Sequence, residues 1–410
     1  MRPSTLIFIV ALALGACSDN PNGPHHPPPA ISPRNAIAAG DQFTCVLTVQ
    51  AAAECWGAND AGQLGRGTRD SIGSPAAVVG GRQYTQIAAT MSTACAVAAD
   101  GSAWCWGANA GRFGSGDTTS SAVPVAVSGG LHFQVLGGAG AAFCGLTTEN
   151  VIYCWGSNNN GQLGNGSSLT TRSLIPVPVS GGQSFSGLTS ALWASCGITS
   201  SKTAFCWGAN SLRQLGIGNA TTSVVTPTPI AGGLSFSDLK LGSATSCGIA
   251  AGTTYCWGTN FFGSLGNDSV SSSPATQPTA IVGGPAFVSV FPGGGNDVFT
   301  PVCALTSTGA AYCWGANRSG QLGTNARAAT CTASNGQTLG CSGTPLPVSG
   351  GLSYVVLAIG AEHVCGITTT GQVACWGLND RAQLGGGSSA TSSSTPVVVP
   401  GIQAPSELVS

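Results

Sequence analysis

The sequence predicts an all-β fold, a seven-bladed β-propeller of four-stranded antiparallel blades whose ring is closed by the C-terminal strand. Three observations predict it: a Cys-Trp-Gly motif that recurs seven times, short apolar segments separated by turns, and the lack of a long helical pattern. The tryptophans are spaced 50, 49, 52, 50, 57 and 62 residues apart, and such a period is typical of repeat architectures. They are Trp56, Trp106, Trp155, Trp207, Trp257, Trp314 and Trp376.

Each repeat contains four candidate strands. In the third repeat they are Val123–Val127, Phe133–Leu136, Phe143–Thr147 and Val151–Trp155. A tight polar turn, which predicts a hairpin, separates the last two. Strand alternation places Cys154 on one face of the fourth strand and Trp155 on the other, and both are apolar. A strand that is apolar on both faces fits a sheet packed between two similar sheets, as in a propeller.

The chain ends predict how the ring closes. The first repeat begins at Ile37 and lacks the Pro-Val strand that opens the other repeats. The C-terminus supplies a spare strand, Pro396–Val399, equivalent to Val123–Val127. We expect this strand to complete the first blade, which would remove sheet edges that otherwise invite aggregation.

A loop motif follows each tryptophan. An Asn stands three positions later, and a Gly-Gln-Leu-Gly-like tetrad comes next, clearest at 62–65, 161–164 and 320–323. Over residues 36–410 this pattern resembles the repeat of the regulator of chromosome condensation family, which implies a seven-bladed propeller. That family includes nucleotide exchange factors for a nuclear GTPase and bacterial inhibitors of β-lactamases. Its Gly-x-x-His element occurs here only at Gly360–His363.

The first 35 residues are predicted to lie outside the propeller. Residues 1–16 carry Arg2 and the apolar segment Leu6–Leu14, which is shorter than the about 20 residues that span a bilayer and indicates a signal peptide. The segment Leu14-Gly15-Ala16-Cys17 resembles the lipobox of bacterial lipoproteins, which implies cleavage before Cys17 and its acylation. Residues 17–35 then form a Pro-rich, extended linker. The alternative is an ordinary signal peptide with an incidental cysteine.

The cysteines beyond Cys17 form eight pairs. Seven pairs, nine or ten residues apart, straddle the hairpin turns, where opposed Cα atoms lie about 4.5–5.5 Å apart, within disulfide range. An exported protein meets an oxidising compartment. We expect eight disulfides and no metal; reduced thiols or zinc sites, which need four ligands each, are the alternatives. The expected partners are Cys45 with Cys55, Cys95 with Cys105, Cys144 with Cys154, Cys196 with Cys206, Cys247 with Cys256, Cys303 with Cys313, Cys365 with Cys375 and, in an extra loop, Cys331 with Cys341.

Charged residues are scarce. The chain has 13 Lys and Arg, 14 Asp and Glu, and a net charge of -1, which argues against nucleic-acid binding. Four histidines, two of them in the linker, leave little material for catalysis, so we expect neither an enzyme nor a cofactor. Asp41, Asp297 and Glu362 could share a rim with His363 as an acid/base or cation site. Solvated loop charges are the simpler explanation.

One face of the disc is the predicted binding face. In an up-and-down blade the second-to-third and fourth-to-first connections emerge together, and the sixth repeat has insertions in both. Two residues also vary between the fixed Asn and Gly of most repeats, as rigid scaffolds for recognition often allow. Aromatic side chains dominate interface energetics, so aromatic residues that lack counterparts in other repeats are candidate binding residues. Packing under the loops is the alternative explanation for such residues. Those without counterparts in other repeats are Trp193, Phe261, Phe262, Phe291 and Phe299.

The expected function is binding of a protein or a surface polysaccharide by a lipid-anchored monomer in the bacterial cell envelope, facing the periplasm or the cell exterior. One alternative is an extracytoplasmic lyase or hydrolase that acts on a cell-wall or extracellular polymer. Another is an enzyme inhibitor resembling the β-lactamase-binding propellers. Nucleotide exchange is disfavoured because an exported, oxidised protein does not meet a cytosolic GTPase.

Overall fold

The computed structural model describes residues 36–167, 171–295, 299–324, 329–332, 336 and 338–406. The regular structure in these ranges consists of 29 strands in seven antiparallel sheets. Each sheet is one blade, with its strands in sequence order except in blade 6, where a fifth strand is added. The predicted seven-bladed, all-β fold is confirmed. The predicted signal peptide, Cys17 and linker lie outside the described residues.

The strand bounds follow the repeats. Blade 1 contains β1 Ile37–Ala39, β2 Phe43–Leu47, β3 Ala53–Gly57 and β4 Ile72–Ala77; blade 2 contains β5 Tyr84–Thr90, β6 Thr93–Ala98, β7 Ala103–Gly107 and β8 Ser121–Ala126. Blade 3 contains β9 Phe133–Ala139, β10 Ala142–Thr147, β11 Ile152–Ser157 and β12 Arg172–Pro178; blade 4 contains β13 Phe185–Ala191, β14 Ala194–Thr199, β15 Ala204–Ala209 and β16 Ser223–Pro229. Blade 5 contains β17 Phe236–Lys240, β18 Thr245–Ala250, β19 Thr253–Asn260 and β20 Ser271–Ala280. Blade 6 contains β21 Ser289–Pro292, β22 Pro301–Leu305, β23 Ala311–Ala316, β24 Ala329–Thr332 and β25 Thr338–Pro347, and blade 7 contains β26 Tyr354–Ile359, β27 His363–Thr368, β28 Val373–Leu378 and β29 Ser392–Val399.

The blades are arranged radially. First strands of neighbouring blades lie against each other, and two of these contacts use buried polar side chains. The Gln86 amide bonds both the N–H and the carbonyl of Leu136, and the Asp238 carboxylate accepts the Val290 N–H at 2.9 Å. The fourth strands are half-exposed and lie at the periphery. The core is therefore divided among the spaces between sheets.

The seven Cys-Trp-Gly tryptophans are the largest side chains in that core, and each is fully buried. In every case the indole N–H donates to a backbone carbonyl in the loop of the preceding blade, over 2.7–3.1 Å. The ring is thus linked at all seven junctions by the same contact. The donor and acceptor pairs are Trp56 to Gln383, Trp106 to Gln63, Trp155 to Arg112, Trp207 to Gln162, Trp257 to Gln214, Trp314 to Ser264 and Trp376 to Gln321.

The structure corrects the assignment of the Pro-Val strands to blades. Strand β8, which contains the Val123 segment, pairs with β7 of the preceding repeat, and the C-terminal strand β29 pairs with β28 of blade 7. Blade 1 has its own outer strand, β4. The expectation that β29 completes blade 1 is wrong, because the Pro-Val strand ends a blade and does not open one.

The ring nevertheless closes at the C-terminal end. After β29, the Ala404 N–H donates to the Gly371 carbonyl of blade 7 at 2.9 Å, and the Gln403 carbonyl accepts from Val49 N of blade 1 at 3.1 Å. Phe133 and His132 make the same two bonds between blades 2 and 3. The C-terminal segment therefore takes the place of the residues that begin the first strand in a regular blade.

Disulfides join all eight pairs of cysteines that the spacing predicts. The seven hairpin pairs join the second and third strands of each blade, with Cα atoms 4.0–4.1 Å apart. From blade 1 to blade 7 they are Cys45 with Cys55, Cys95 with Cys105, Cys144 with Cys154, Cys196 with Cys206, Cys247 with Cys256, Cys303 with Cys313 and Cys365 with Cys375.

The eighth disulfide lies in the insertion of blade 6. Cys331 and Cys341 join β24 to β25, with Cα atoms 5.8 Å apart. So many disulfides in one chain indicate an oxidising, extracytoplasmic environment. In the described ranges, no helix is long and apolar enough to cross a membrane.

Candidate functional site

The candidate site is one side of the disc, which we call the loop face. It is formed by the connections between the first and second strands and between the third and fourth strands of every blade. Because successive strands are antiparallel, both kinds of connection emerge on the same side. Because the Pro-Val strand ends each blade, the connections expected as second-to-third and fourth-to-first are in fact first-to-second and third-to-fourth. Both blade 6 insertions fall in connections of these two kinds, so they lie on one face as expected.

A fixed hydrogen-bonded frame shapes the third-to-fourth connections. In blade 1, Asn59 Oδ1 accepts the Leu64 N–H at 3.0 Å, and Asn59 Nδ2 donates to the carbonyls of Thr68 and Asp70 at 3.0 Å. The equivalent asparagines accept a backbone N–H at 2.9–3.1 Å in the other six blades. The Asn side chain thus supplies bonds that the loop backbone would otherwise lack.

The frame presents one outward residue from each blade. The position directly after the frame Asn is exposed in six blades and half-buried in blade 5, where it is Phe261. The exposed residues are Asp60, Ala110, Asn159, Ser211, Arg318 and Asp380. A constant backbone therefore carries side chains of different chemistry around the loop face.

Trp193 is the most exposed of the predicted aromatics, at 37%. It lies in the first-to-second connection of blade 4 with φ 63°, a backbone conformation that is costly for a bulky residue. Its carbonyl is held by the Ala209 N–H at 2.8 Å. A Cβ on Gly140 of blade 3 would lie 3.2 Å from its ring, so glycine leaves the room that the indole occupies. Trp193 is where the sequence predicts it, on the loop face.

The remaining predicted aromatics pack together or in the core. Phe262 is 2% exposed; its ring lies 5.1 Å from that of Phe299, in a cluster with Cys331 and Cys341 of the β24–β25 hairpin. Phe261 and Phe299 are half-buried against this cluster. Phe291 is a buried residue of β21. The expected exposure of Phe262 and Phe291 is therefore wrong, because the disulfide-bonded hairpin and the neighbouring sheet remove them from solvent.

The structure describes two of the three carboxylates expected on the acidic rim, Asp41 and Glu362. The Glu362 carboxylate lies 3.6 Å from Arg318 Nη1 and accepts a hydrogen bond from the Ser319 hydroxyl. The backbone of Asp41, in the equivalent connection of blade 1, bonds Met91 and Ala361. Asp297 lies outside the described residues. No group of three or more His, Cys, Asp or Glu side chains that could hold a metal occurs in the described part of the chain.

His363 lies beneath the loop face and not on the rim. It is fully buried, its Nε2 lies 3.0 Å from Thr44 Oγ1, and its Nδ1 has no hydrogen-bond partner among the described residues. Burial disfavours the imidazolium and lowers the pKa of His363 to about 4. The side chain is therefore neutral at pH 7 and closed to a substrate on the rim, so the expectation that it joins the carboxylates there is wrong.

The residues that face each other across blade junctions were not recognised in the sequence. Glu362 of blade 7 contacts Arg318 and Ser319 of blade 6, and Gln42 Nε2 of blade 1 donates to Asp380 Oδ2 of blade 7 at 3.5 Å. Glu362 and Gln42 both stand three residues before the first hairpin cysteine of their blade. Aligning the repeats on those cysteines would have identified this position.

Comparison with known proteins agrees with this architecture. Family models of the regulator of chromosome condensation (RCC1) repeat match residues 149–201, and residues 302–321 with 355–383. Prp20p from Saccharomyces cerevisiae is similar in structure, with 18% identity and a TM-score of 0.73 over 86% of this chain and 87% of Prp20p.

Two further structures share the fold. Human WBSCR16 has 18% identity and a TM-score of 0.71 over 85% of this chain and 94% of that one. The ectodomain of the Arabidopsis thaliana receptor kinase ACR4 has 18% identity and a TM-score of 0.52 over 89% and 98%. The seven blades and these likenesses lead to one conclusion: the protein is a seven-bladed β-propeller, and parts of blades 3, 4, 6 and 7 match the regulator of chromosome condensation repeat.

Proposed function

We propose that this propeller is an extracytoplasmic recognition module that binds a protein or a surface polysaccharide through its loop face and is held to a membrane by a lipid on Cys17. The observation that carries the proposal is the loop frame. Seven asparagines hold their loops through the same side-chain bond to a backbone N–H, while the exposed residue after them changes from Asp to Asn to Arg. Rigid loops with variable side chains are typical of binding surfaces.

The relatives support binding to a partner. Prp20p has binding properties toward Gsp1p and histones, so a propeller of this shape serves as a protein-binding scaffold in yeast. The disulfides of the present chain favour a different compartment and hence a different partner. An inhibitor of an extracytoplasmic enzyme would be one form of such binding.

The geometry gives less support to an enzyme. A general acid needs access to substrate, but the Glu362 carboxylate is paired with Arg318 at 3.6 Å and His363 is fully buried. Other carboxylates on the loop face, Asp60 and Asp380, are exposed. Solvated side chains of this kind suit recognition better than proton transfer.

Site-specific photo-crosslinking tests the proposal. A photoreactive residue is placed at Asn159, Ser211 or Arg318 on the loop face of the full-length protein, and at Glu149 or Lys202 as matched exposed positions on the opposite face. After irradiation of intact envelopes, we expect adducts from loop-face positions and none from the opposite face. Equal labelling from both faces, or labelling from the opposite face alone, would contradict a loop-face binding role.

A further inference from the structure

Two blade junctions on the loop face show the same pairing of positions. The residue three before the first hairpin cysteine of a blade meets the residues after the frame Asn of the preceding blade. At the junction of blades 6 and 7, Glu362 forms an ion pair with Arg318 at 3.6 Å. At the junction of blades 7 and 1, Gln42 donates a hydrogen bond to Asp380 at 3.5 Å. In blade 4 the same position, three before Cys196, is Trp193.

By repeat position Trp193 corresponds to Glu362 and Gln42, and the residues that these two contact correspond in blade 3 to Asn159 and Asn160. The indole lies against blade 3, where a Cβ on Gly140 would stand 3.3 Å from its Nε1. Strand β15 connects the two sides: its Trp207 indole donates to the Gln162 carbonyl at 3.1 Å, and its Ala209 N–H donates to the Trp193 carbonyl at 2.8 Å. Asn159 is exposed and Asn160 is half-buried. The junction of blades 3 and 4 thus has an exposed indole on one side and, at the positions that pair in the other two junctions, two neutral amides.

Trp193 differs from every other tryptophan of the chain in its hydrogen bonding. Eight of the nine tryptophans donate their indole N–H to a protein acceptor. Trp193 Nε1 has no acceptor among the described residues, and the residue is 37% exposed with φ 63°.

The third-to-fourth loop of blade 3 is neutral. The described residues 158–167 of the blade 3 loop include no Asp, Glu, Lys, Arg or His. Gln162, at 1% exposure, holds the Asn160 N–H through its Oε1 at 2.8 Å, while its Nε2 has no partner among the described residues. The two paired junctions above both include Asp, Glu or Arg side chains. The blade 3–4 junction is therefore suited to an uncharged, hydroxyl-rich ligand.

We infer that this junction is a subsite for a neutral glycan. The C–H face of a pyranose ring would stack on the indole, whose face carries negative quadrupole charge, and the sugar hydroxyls would bond to Trp193 Nε1 and the Asn159 and Asn160 amides. The inference rests on the proposed function and names its ligand class. A protein partner is less favoured at this junction because protein hot spots cluster several anchors, whereas Phe262 and Phe291 are buried.

The test uses full-length protein on an array of neutral and acidic oligosaccharides from cell walls, followed by fluorescence titration of those that bind. We expect neutral glycans to bind preferentially. Trp193→Ala should weaken their binding at least tenfold, whereas Trp193→Tyr should keep most of the affinity. Asn159→Ala should weaken binding about threefold. Ser211→Ala, at the equivalent position of the next blade, should change affinity less than twofold. An unchanged melting temperature in each variant would show that folding is intact.

Three outcomes would overturn the glycan subsite: no neutral glycan binds, only acidic glycans bind, or binding survives Trp193→Ala. Loop-face protein adducts in the crosslinking experiment together with an empty array would reject the glycan subsite while leaving the recognition role intact. Glycan binding that is lost with Trp193→Ala supports the inference independently of the crosslinking result.

Discussion

The indole Nε1 of Trp56 in blade 1 donates to the carbonyl oxygen of Gln383 in blade 7, over 2.9 Å. These residues are 327 positions apart in sequence, yet the contact repeats what Trp106 and Gln63 do between adjacent blades. The seam between the chain ends is therefore built like the other six junctions. Since covalent continuity is missing at the seam, we expect the ring to be sensitive to changes there.

Trp56→Phe tests this contact. The variant keeps an aromatic ring but leaves the buried Gln383 carbonyl without its donor, which costs about 1–3 kcal/mol. We expect a melting temperature several degrees below that of the parent protein. Trp193→Phe is the matched control, since Trp193 Nε1 makes no such bond in the described part of the chain, and it should melt with the parent. Equal melting temperatures for the two variants would show that the seam bond contributes nothing.

The glycine that ends each loop tetrad explains why the tryptophan fits. Gly385 has φ 67°, and a Cβ there would lie 2.7 Å from Trp56 Nε1, whereas Gly387 has φ 68° and no atom within 4 Å of its Cβ position. Alanine at either site incurs the same left-handed backbone cost of about 1–2 kcal/mol. We predict that Gly385→Ala destabilises the protein by at least about 1 kcal/mol more than Gly387→Ala, because it also displaces the indole. Urea unfolding of the two variants measures the difference, and equal losses would assign the glycine to backbone conformation alone.

The repeat, the strands and the disulfide pairs could be predicted because each depends on local spacing. The assignment of strands to blades could not, since the alternation in Val123–Val127 is the same whether the strand pairs with the repeat before it or after it. In the structure β8 pairs with β7 because the frame around Asn109 turns the chain back onto its own sheet. The pattern fixes the face of a strand but not its neighbour.

The candidate site was predictable in outline only. The exposure of Asp60, Asn159 and Arg318 follows from their place after a fixed Asn. The burial of Phe262 depends on the β24–β25 hairpin, which brings Cys331 and Cys341 against its ring. Such coverage involves residues far apart in sequence, so the aromatic character of Phe262 alone could not show whether it faces solvent.

Burial of His363 predicts a pH dependence of stability. The pKa of about 4 in the folded protein lies below the ordinary value of 6.5, so the unfolded chain takes up a proton first as the pH falls. The contribution of neutral His363 to the free energy of unfolding is complete above pH 6.5 and is lost progressively towards pH 4. The loss is about 1.4 kcal/mol per pH unit, or about 3 kcal/mol over the whole interval. Urea midpoints between pH 7 and pH 4 measure the loss.

His363→Phe is the control for this pH dependence, because Phe43 occupies the equivalent position in blade 1. The variant should lose less stability than the parent over the same interval. Hydrogen bonds from Ser102 and Thr148 lower the pKa values of the Asp100 and Glu149 carboxyls. These carboxyls therefore change the stability mainly below pH 4. Parallel curves for the variant and the parent would exclude His363 as the titrating group.

The predicted lipid anchor is tested by Cys17→Ser. The first residue of the described chain, Ala36, leads into β1, which runs towards the loop-face connection at Gly40–Gln42. Ala36 thus lies on the opposite face, and a tether that joins there leaves the loop face open.

Cys17→Ser should abolish incorporation of labelled palmitate and release the protein from membranes, while crosslinking from Asn159 or Arg318 to a soluble partner continues. Palmitate labelling that persists in the variant would exclude Cys17 as the acylated residue, and loss of crosslinking from released, folded protein would show that the membrane itself contributes to the binding surface.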